Sequence, residues 1–401
     1  MENKFINVQA NSNNPKWANI ISREKDLYKR NHDIRSEFER DYTRIIHSTA
    51  YRRLKHKTQV FFSPKNDHIC TRIEHVNYVD SISHTISKYL GLNTDLTMAI
   101  SVAHDLGHSP FGHQGEKILS DISKRELGVP FWHEQNGLNM VSNIELLENI
   151  DGELENLNLT YAVRDGIISH CGEIDENHLF PRNEFIDLSE YKYPNQYAPY
   201  TWEACVVKIA DKISYLGRDI EDAISFGILK EPLTSLYNSL DYPIGEKINN
   251  TVLINDLICD LCKNSSPENG LCFSESGLKT LNTIKKFNYE HIYSNHKVVI
   301  STHYFNLVLN TIFDTLKNMY DGLLTEYSIN SYSKLYPTLC FEFLSWIKKY
   351  WNILNLNNSS LKNKTLFDMN NRKDYYKAII YFISGMTDNF AIKIYNEIIG
   401  F

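Results

Sequence analysis

The sequence predicts a mainly α-helical protein. Three observations carry that reading: long stretches with apolar residues at helical spacing, few convincing strand-like runs, and no repeat, proline-rich linker or single-sign charge block. With 401 residues, 42% of them hydrophobic, the chain can bury a substantial core, as one large domain or two ordinary ones. The expected organisation is an N-terminal segment over 1–40, a helical bundle over 41–230, and a helical C-terminal region over 231–401 continuous with it.

Taken in order, Met1 to Ser22 is polar and asparagine-rich, without the basic start and apolar centre of a secretory signal. "TQVFF" around Val60 reads as a short strand or a turn into the next helix. "RIEHVNYVDSISHTISKYLGL" sets Val76, Val79, Ile82, Ile86 and Leu90 at helical spacing, with Gly91 as its stop. "NTDLTMAISVAHDLGH" follows, with Thr94 a candidate N-cap and Gly107 the expected end; apolar residues on nearly every side predict a helix buried at the centre of a bundle. In "TWEACVVKIADKISYLGRDIEDAISFGIL", Ile209, Ile213, Leu216 and Ile220 form the apolar stripe, while Asp211, Tyr215, Asp219 and Asp222 recur on an acidic face. Polar loops interrupt the pattern from about Pro232 to Asn295. Helical spacing then returns in "STHYFNLVLNTIFDTLKNMYDGLL" and "TLCFEFLSWIKKYWNIL", and "SLKNKTLFDMNNRKD" reads as an exposed loop.

The net charge of −7, from 42 basic and 49 acidic residues, gives no blanket attraction to nucleic acid, so phosphate binding must come from local clusters. No run of about 18 apolar residues is present, so no membrane association is expected, and the chain reads as soluble and cytoplasmic. Seven scattered cysteines argue for reduced thiols. The CxxC of Cys259 and Cys262 lacks a second ligand pair, so packing on a helix is the better reading than zinc.

"AHDLGHSPFGHQGE", Ala103 to Glu116, concentrates ionisable groups at the end of an apolar helix. Divalent metals are held by imidazole nitrogens and carboxylate oxygens, and His75, His104, Asp105 and Asp211 could supply both. Adjacent helix residues point about 100° apart, so His104 and Asp105 share an ion only at a helix end, between neighbouring helices. Singly, each residue is more often a hydrogen-bonded core group. Together they place acidic residues on two apolar helices, where an unpaired carboxylate costs several kcal/mol and asks for a cation.

These four residues resemble the H…HD…D signature of HD-domain metal-dependent phosphohydrolases. The runs "DYTRIIHSTAYRRLKHKTQVF", "NDHICTRIEHVNYV", "AHDLGHSPFGHQGE", "FWHEQN" and "KIADKISYLGRDIEDA" further resemble the deoxyguanosinetriphosphate triphosphohydrolase family. Weaker echoes continue in "IYSNHKVV" and "SGMTDNFAIKIY". The resemblance implies an HD-domain helical bundle that cleaves a deoxynucleoside triphosphate (dNTP) to the deoxynucleoside and tripolyphosphate, controlling dNTP pools. It implies a divalent ion, Mn²⁺ or Mg²⁺ first and Fe²⁺, Co²⁺ or Zn²⁺ as alternatives, on His75, His104, Asp105 and Asp211. His113 is then the proton donor with Glu116 orienting its ring, and His108 and His133 line the triphosphate pocket. Arg72 is the candidate phosphate clamp and Lys212 serves a terminal phosphate. Gln59 and Asp219 hold the sugar 3′-hydroxyl, and Tyr215 packs on the deoxyribose. The same resemblance implies a homo-oligomer, tetramer or hexamer, a dNTP effector, and single-stranded DNA as a further partner.

One departure is visible at Cys70, where bacterial members commonly carry arginine; Arg52 and Arg53 fit the family's basic segment. Competing readings are an HD phosphohydrolase of another nucleotide, such as guanosine tetraphosphate or a phosphodiester, and a catalytically silent nucleotide- or DNA-binding regulator.

Overall fold

Several helices begin where a side chain takes a first free backbone N–H, as Ser36 does for Glu39 and Thr201 for Ala204. Residues 3–28, 32–62, 69–171, 177–230, 233–240, 250–351 and 360–400 are described by the structure, a computed structural model. The order is α1 (Trp17–Ile20), α2 (Glu37–His47), α3 (Thr49–Arg53), α4 (Arg72–Leu90), α5 (Thr94–Ala103), α6 (Gly112–Leu127), α7 (His133–Asn139), α8 (Tyr161–Ser169) and α9 (Trp202–Ser225). There follow α10 (Thr234–Ser239), α11 (Asn250–Asn264), α12 (Glu275–Asn288), α13 (His296–Lys317), α14 (Thr325–Tyr332), α15 (Pro337–Ile347), α16 (Arg372–Ser384) and α17 (Asp388–Ile399). Among the described residues the one sheet is an antiparallel pair, β1 (Leu146–Glu148) with β2 (Leu154–Asn156), registered Leu147 to Glu155. The chain is mainly α-helical, as its periodicity predicts. "TQVFF" contributes no strand, only an isolated antiparallel bridge from Thr58 to Thr71.

Two helix ends differ from expectation. The α5 cap is Asn93, whose Oδ1 accepts from Asp95 N–H (3.1 Å) and Leu96 N–H (3.2 Å), while Thr94 is the first helical residue. α5 ends at Ala103, and His104 to Gly107 form a turn. Gly107 is needed for close approach rather than as a stop, since a Cβ there would lie 2.0 Å from the His133 carbonyl oxygen and 2.2 Å from Gly137 N. Gly91 does close α4 in the left-handed region, at φ +80°.

Apolar side chains gather in two cores. The first packs α2, α4, α5, α8 and α9 with α11 and α12, through residues such as Val79, Ile86, Ile100, Ile167, Ile213 and Leu261. The second packs α6 with α13 and α15 to α17, through Leu119, Leu309, Phe343 and Ile379. The polar N-terminal segment is tied to the first core: Phe5 is buried, and the Ala10 N–H donates to Glu203 Oε1 (2.8 Å). The stretch read as an exposed loop before α16 buries Phe367 and Met369 in the second core. Residues 104–111 connect α5, at the centre of the first core, to α6, in the second. The cluster of ionisable groups lies on this seam.

Candidate active site

α4, α5 and α9 pack side by side and bring His75, His104 and Asp211 together, with one ligand atom of each within 4.8 Å of the others. His75 Nε2 is 3.0 Å from Asp211 Oδ1. Asp105 faces the same two histidines, at 3.7 Å from His75 Nε2 and 3.5 Å from His104 Nε2, but its oxygens also accept from Arg72 Nη1 (2.7 Å) and lie 3.0 Å from His108 Nε2. Three of the four predicted ligands thus converge, and the fourth joins them to the wall behind. Asp211 is the one partly exposed member, its side chain 17% accessible, so the cradle opens on its side.

The tautomers fix what this cradle can hold. His104 Nδ1 lies 2.7 Å from the Ser101 carbonyl, so Nδ1 carries the proton and donates. In the neutral ring, its Nε2 presents a lone pair that is buried, has no hydrogen-bond partner, and faces the carboxylates of Asp105 and Asp211 at 3.5 and 3.9 Å. A lone pair opposed to two carboxylates is unfavourable unless a cation lies among them. At His75 the Ser214 hydroxyl donates to the Asp211 carbonyl (2.8 Å), leaving an oxygen lone pair for His75 Nδ1 at 3.3 Å and Nε2 turned inward. Two imidazole nitrogens and two carboxylates with an open side fit a divalent ion.

Beyond the cradle stands a wall of histidines. His108 stacks on His133 with ring centroids 3.8 Å apart. Burial, with the Arg72 and His133 charges beside it, holds the His108 imidazole well below its ordinary range. Burial alone would lower His133 too, but the carboxylates of Glu116 and Glu134 outweigh it and raise the group to about 10. Glu116 accepts from both the ring and the backbone of His133, at 3.0 Å to Nδ1 and 2.9 Å to N. His133 Nε2 meets His170 Nε2 at 3.3 Å, and His170 Nδ1 donates to the Ile167 carbonyl (2.6 Å). Burial pushes His170 down to about 3, so it accepts the His133 N–H as a neutral ring. His113, on the first turn of α6, is placed differently: its side chain is 67% exposed and its Nδ1 stands 3.5 Å from Glu116 Oε2. Glu116 thus holds His133 closely, through two donors, and His113 more loosely at the rim.

Of the predicted sugar and phosphate residues, Arg72 is fully buried and anchors Asp105, with Nη2 on the Gln59 carbonyl (3.4 Å). Gln59 is buried with Oε1 unpartnered. Lys212 is buried on α9, and Tyr215, partly buried, packs against the first core. Asp219 accepts a short hydrogen bond from the Tyr293 hydroxyl, and burial pushes its carboxyl up to about 7. Cys70 offers no cation: burial pushes its thiol up to about 12, and its backbone N–H donates to Asp222 Oδ2 (3.1 Å). Arg53 pairs with Glu145 (2.7 Å), whereas Arg52 is exposed.

The model of the HD domain family matches residues 72–216, the span that contains every cradle ligand. A deoxyguanosinetriphosphate triphosphohydrolase-like protein of Rickettsia felis is 32% identical over 382 residues, covering 91% of this chain and 92% of that one. The chain belongs to this HD-domain family. Family members of the same printed name from Pelagibacter ubique (32% over 397 residues, 90% of this chain and 92% of that one) and Caldanaerobacter subterraneus (38% over 265 residues, 66% and 67%) are similar. Family likeness pointed to the cradle and to His108, His113, Glu116 and His133. The reading of the sequence missed His170, Glu134 and Tyr293. The signal for His170 was weak, a single histidine closing the apolar helix "AVRDGIISH".

Proposed function

We propose that the protein is a metal-dependent dNTP triphosphohydrolase that releases the deoxynucleoside and tripolyphosphate. The observation that carries this reading is one seam holding an anionic cradle whose His104 lone pair asks for a cation beside a wall bearing the cationic His133 and Arg72. His75, His104, Asp105 and Asp211 would hold a divalent ion, which would supply Lewis-acid polarisation of the α-phosphate and a more acidic water. The chain's own groups do the rest. His108 and His133 line the pocket for the triphosphate, Lys212 serves a terminal phosphate, and Arg72 holds Asp105 in its orientation. His113, at the rim where a leaving group can reach it, delivers a proton to the departing 5′-oxygen. Gln59 and Asp219 hold the 3′-hydroxyl, and the Tyr215 ring against C2′ leaves no room for a 2′-hydroxyl. Relatives that carry the triphosphohydrolase-like name support the substrate class.

The test is to incubate the protein with each dNTP, a dNTP mixture and GTP, with Mn²⁺ or Mg²⁺, and to resolve products by anion exchange. Deoxynucleoside with tripolyphosphate, absent for Asp105→Ala and for GTP, is expected. Monophosphate with pyrophosphate would transfer the protein to another HD phosphohydrolase class, and no turnover under any condition would favour a binding protein. The same reading expects a homo-oligomer, which light scattering at micromolar concentration checks.

A further inference from the structure

The C-terminal turn at residues 384–388 meets the seam. Asp388, the first residue of α17, is 3% exposed and uses both carboxylate oxygens: Oδ1 accepts from the Phe111 N–H (2.9 Å) and Oδ2 from the Thr58 N–H (2.8 Å). Phe111 directly precedes α6, the helix that carries His113 and Glu116, and Thr58 directly precedes Gln59. Phe111 holds φ +63° and Gly112 φ +57°, a left-handed pair that an L side chain rarely enters and that persists only when its surroundings fix it. The Phe111 ring is also stacked on Phe305 of α13, centroids 4.3 Å apart. Two further bonds converge on the same turn. The buried Lys57 ammonium donates to the carbonyls of His108 and Ser384, the latter at 2.9 Å, and Asn136 Nδ2 bridges the Gly107 carbonyl (2.7 Å) and Ser384 Oγ (3.2 Å).

We propose that Asp388 is a positioning residue: one carboxylate at the start of α17 clamps the backbones that aim His113 and Gln59, so the C-terminal helix sets the geometry of chemistry done at the seam. The inference rests on the triphosphohydrolase reading for its kinetic consequence, although the clamp itself does not. Asp388 touches none of the cradle ligands, so its loss separates aim from metal binding. In Asp388→Asn the amide can accept one N–H but turns its own N–H₂ toward the other.

The experiment compares wild type, Asp388→Asn and Thr387→Ala by amide hydrogen exchange, bound-metal content and steady-state kinetics on dNTPs. Thr387 caps α17 through the Phe390 N–H (3.2 Å) without touching the seam, so it reports helix stability alone. The clamp predicts faster exchange at Thr58 and Phe111 in Asp388→Asn, unchanged metal content, and kcat lower by about 10- to 100-fold; Thr387→Ala keeps kcat within about twofold. A purely structural residue would lower the melting temperature and leave kcat of the folded enzyme unchanged, which would overturn the proposal. Should wild type not turn over dNTPs, the function fails, and exchange still decides the clamp: unchanged rates at Thr58 and Phe111 in the variant refute it. If Asp388→Asn does not fold, wild type alone suffices, because exchange at these two amides faster than in α17 contradicts the clamp.

Discussion

The metal cradle and the histidine wall share Asp105 yet solve opposite electrostatic problems. In the cradle, carboxylates and an unpartnered imidazole lone pair accumulate negative charge, and all ligands but Asp105, on the following turn, come from helices or a helix end. In the wall, Glu116, His133 and His170 satisfy one another in sequence, the His133 cation balanced by the Glu116 carboxylate. His113 belongs to neither arrangement and stands at the rim. The difference teaches that the cradle is built to be completed by a cation, whereas in the wall Glu116, His133 and His170 already complete one another.

Substitutions test whether the two regions separate. The largest effect is expected in the cradle: Asp211→Asn or His104→Ala removes the bound metal and lowers dNTP turnover at least about a thousandfold, read by elemental analysis and product chromatography. His113→Ala keeps its metal and loses about 100-fold or more in kcat, the ordinary contribution of a general acid. A joint loss of metal and turnover at His113 would break the separation.

His170→Phe sharpens the contrast within the wall. It removes the acceptor for the His133 Nε2 proton without touching Glu116. We expect KM for the triphosphate to rise about tenfold as His133 loses its orientation, with metal content unchanged. The smallest effect is in stability at Asp219. Its folded pKa of about 7 lies above the ordinary 3.8 because of burial, so the folded state is penalised as pH rises from about 4 to about 7. Asp219→Asn is therefore expected to raise the melting temperature at pH 8, by an amount that vanishes towards pH 4, while weakening dNTP binding. A shift independent of pH would remove burial of the carboxylate as the cause.

Much of this was legible in the sequence. Helical periodicity gave α4, α5 and α9, and the aspartates on apolar helices pointed to the cradle before any coordinates. Local signals failed where long-range packing decides. Gly107 reads as a helix stop, but its role is to admit α7. Nothing near Asp388 in "SGMTDNF" says that its carboxylate caps two amides from the other end of the chain. Glu116 sits one turn from His113 and reads as its partner, and nothing local shows that a residue on another helix, His133, also binds it through two donors. The ion pair of Arg72 with Asp105 was likewise out of reach, because a contact across elements leaves no periodic trace.

The central claim is that the cation cradle and the histidine wall together cleave at the α-phosphorus. Hydrolysis of a dNTP in water labelled with heavy oxygen, with Mn²⁺ present and products read by mass spectrometry, tests it most directly. Label in tripolyphosphate, with unlabelled deoxynucleoside, is the predicted result; label in the deoxynucleoside, or a labelled monophosphate with pyrophosphate, would contradict it.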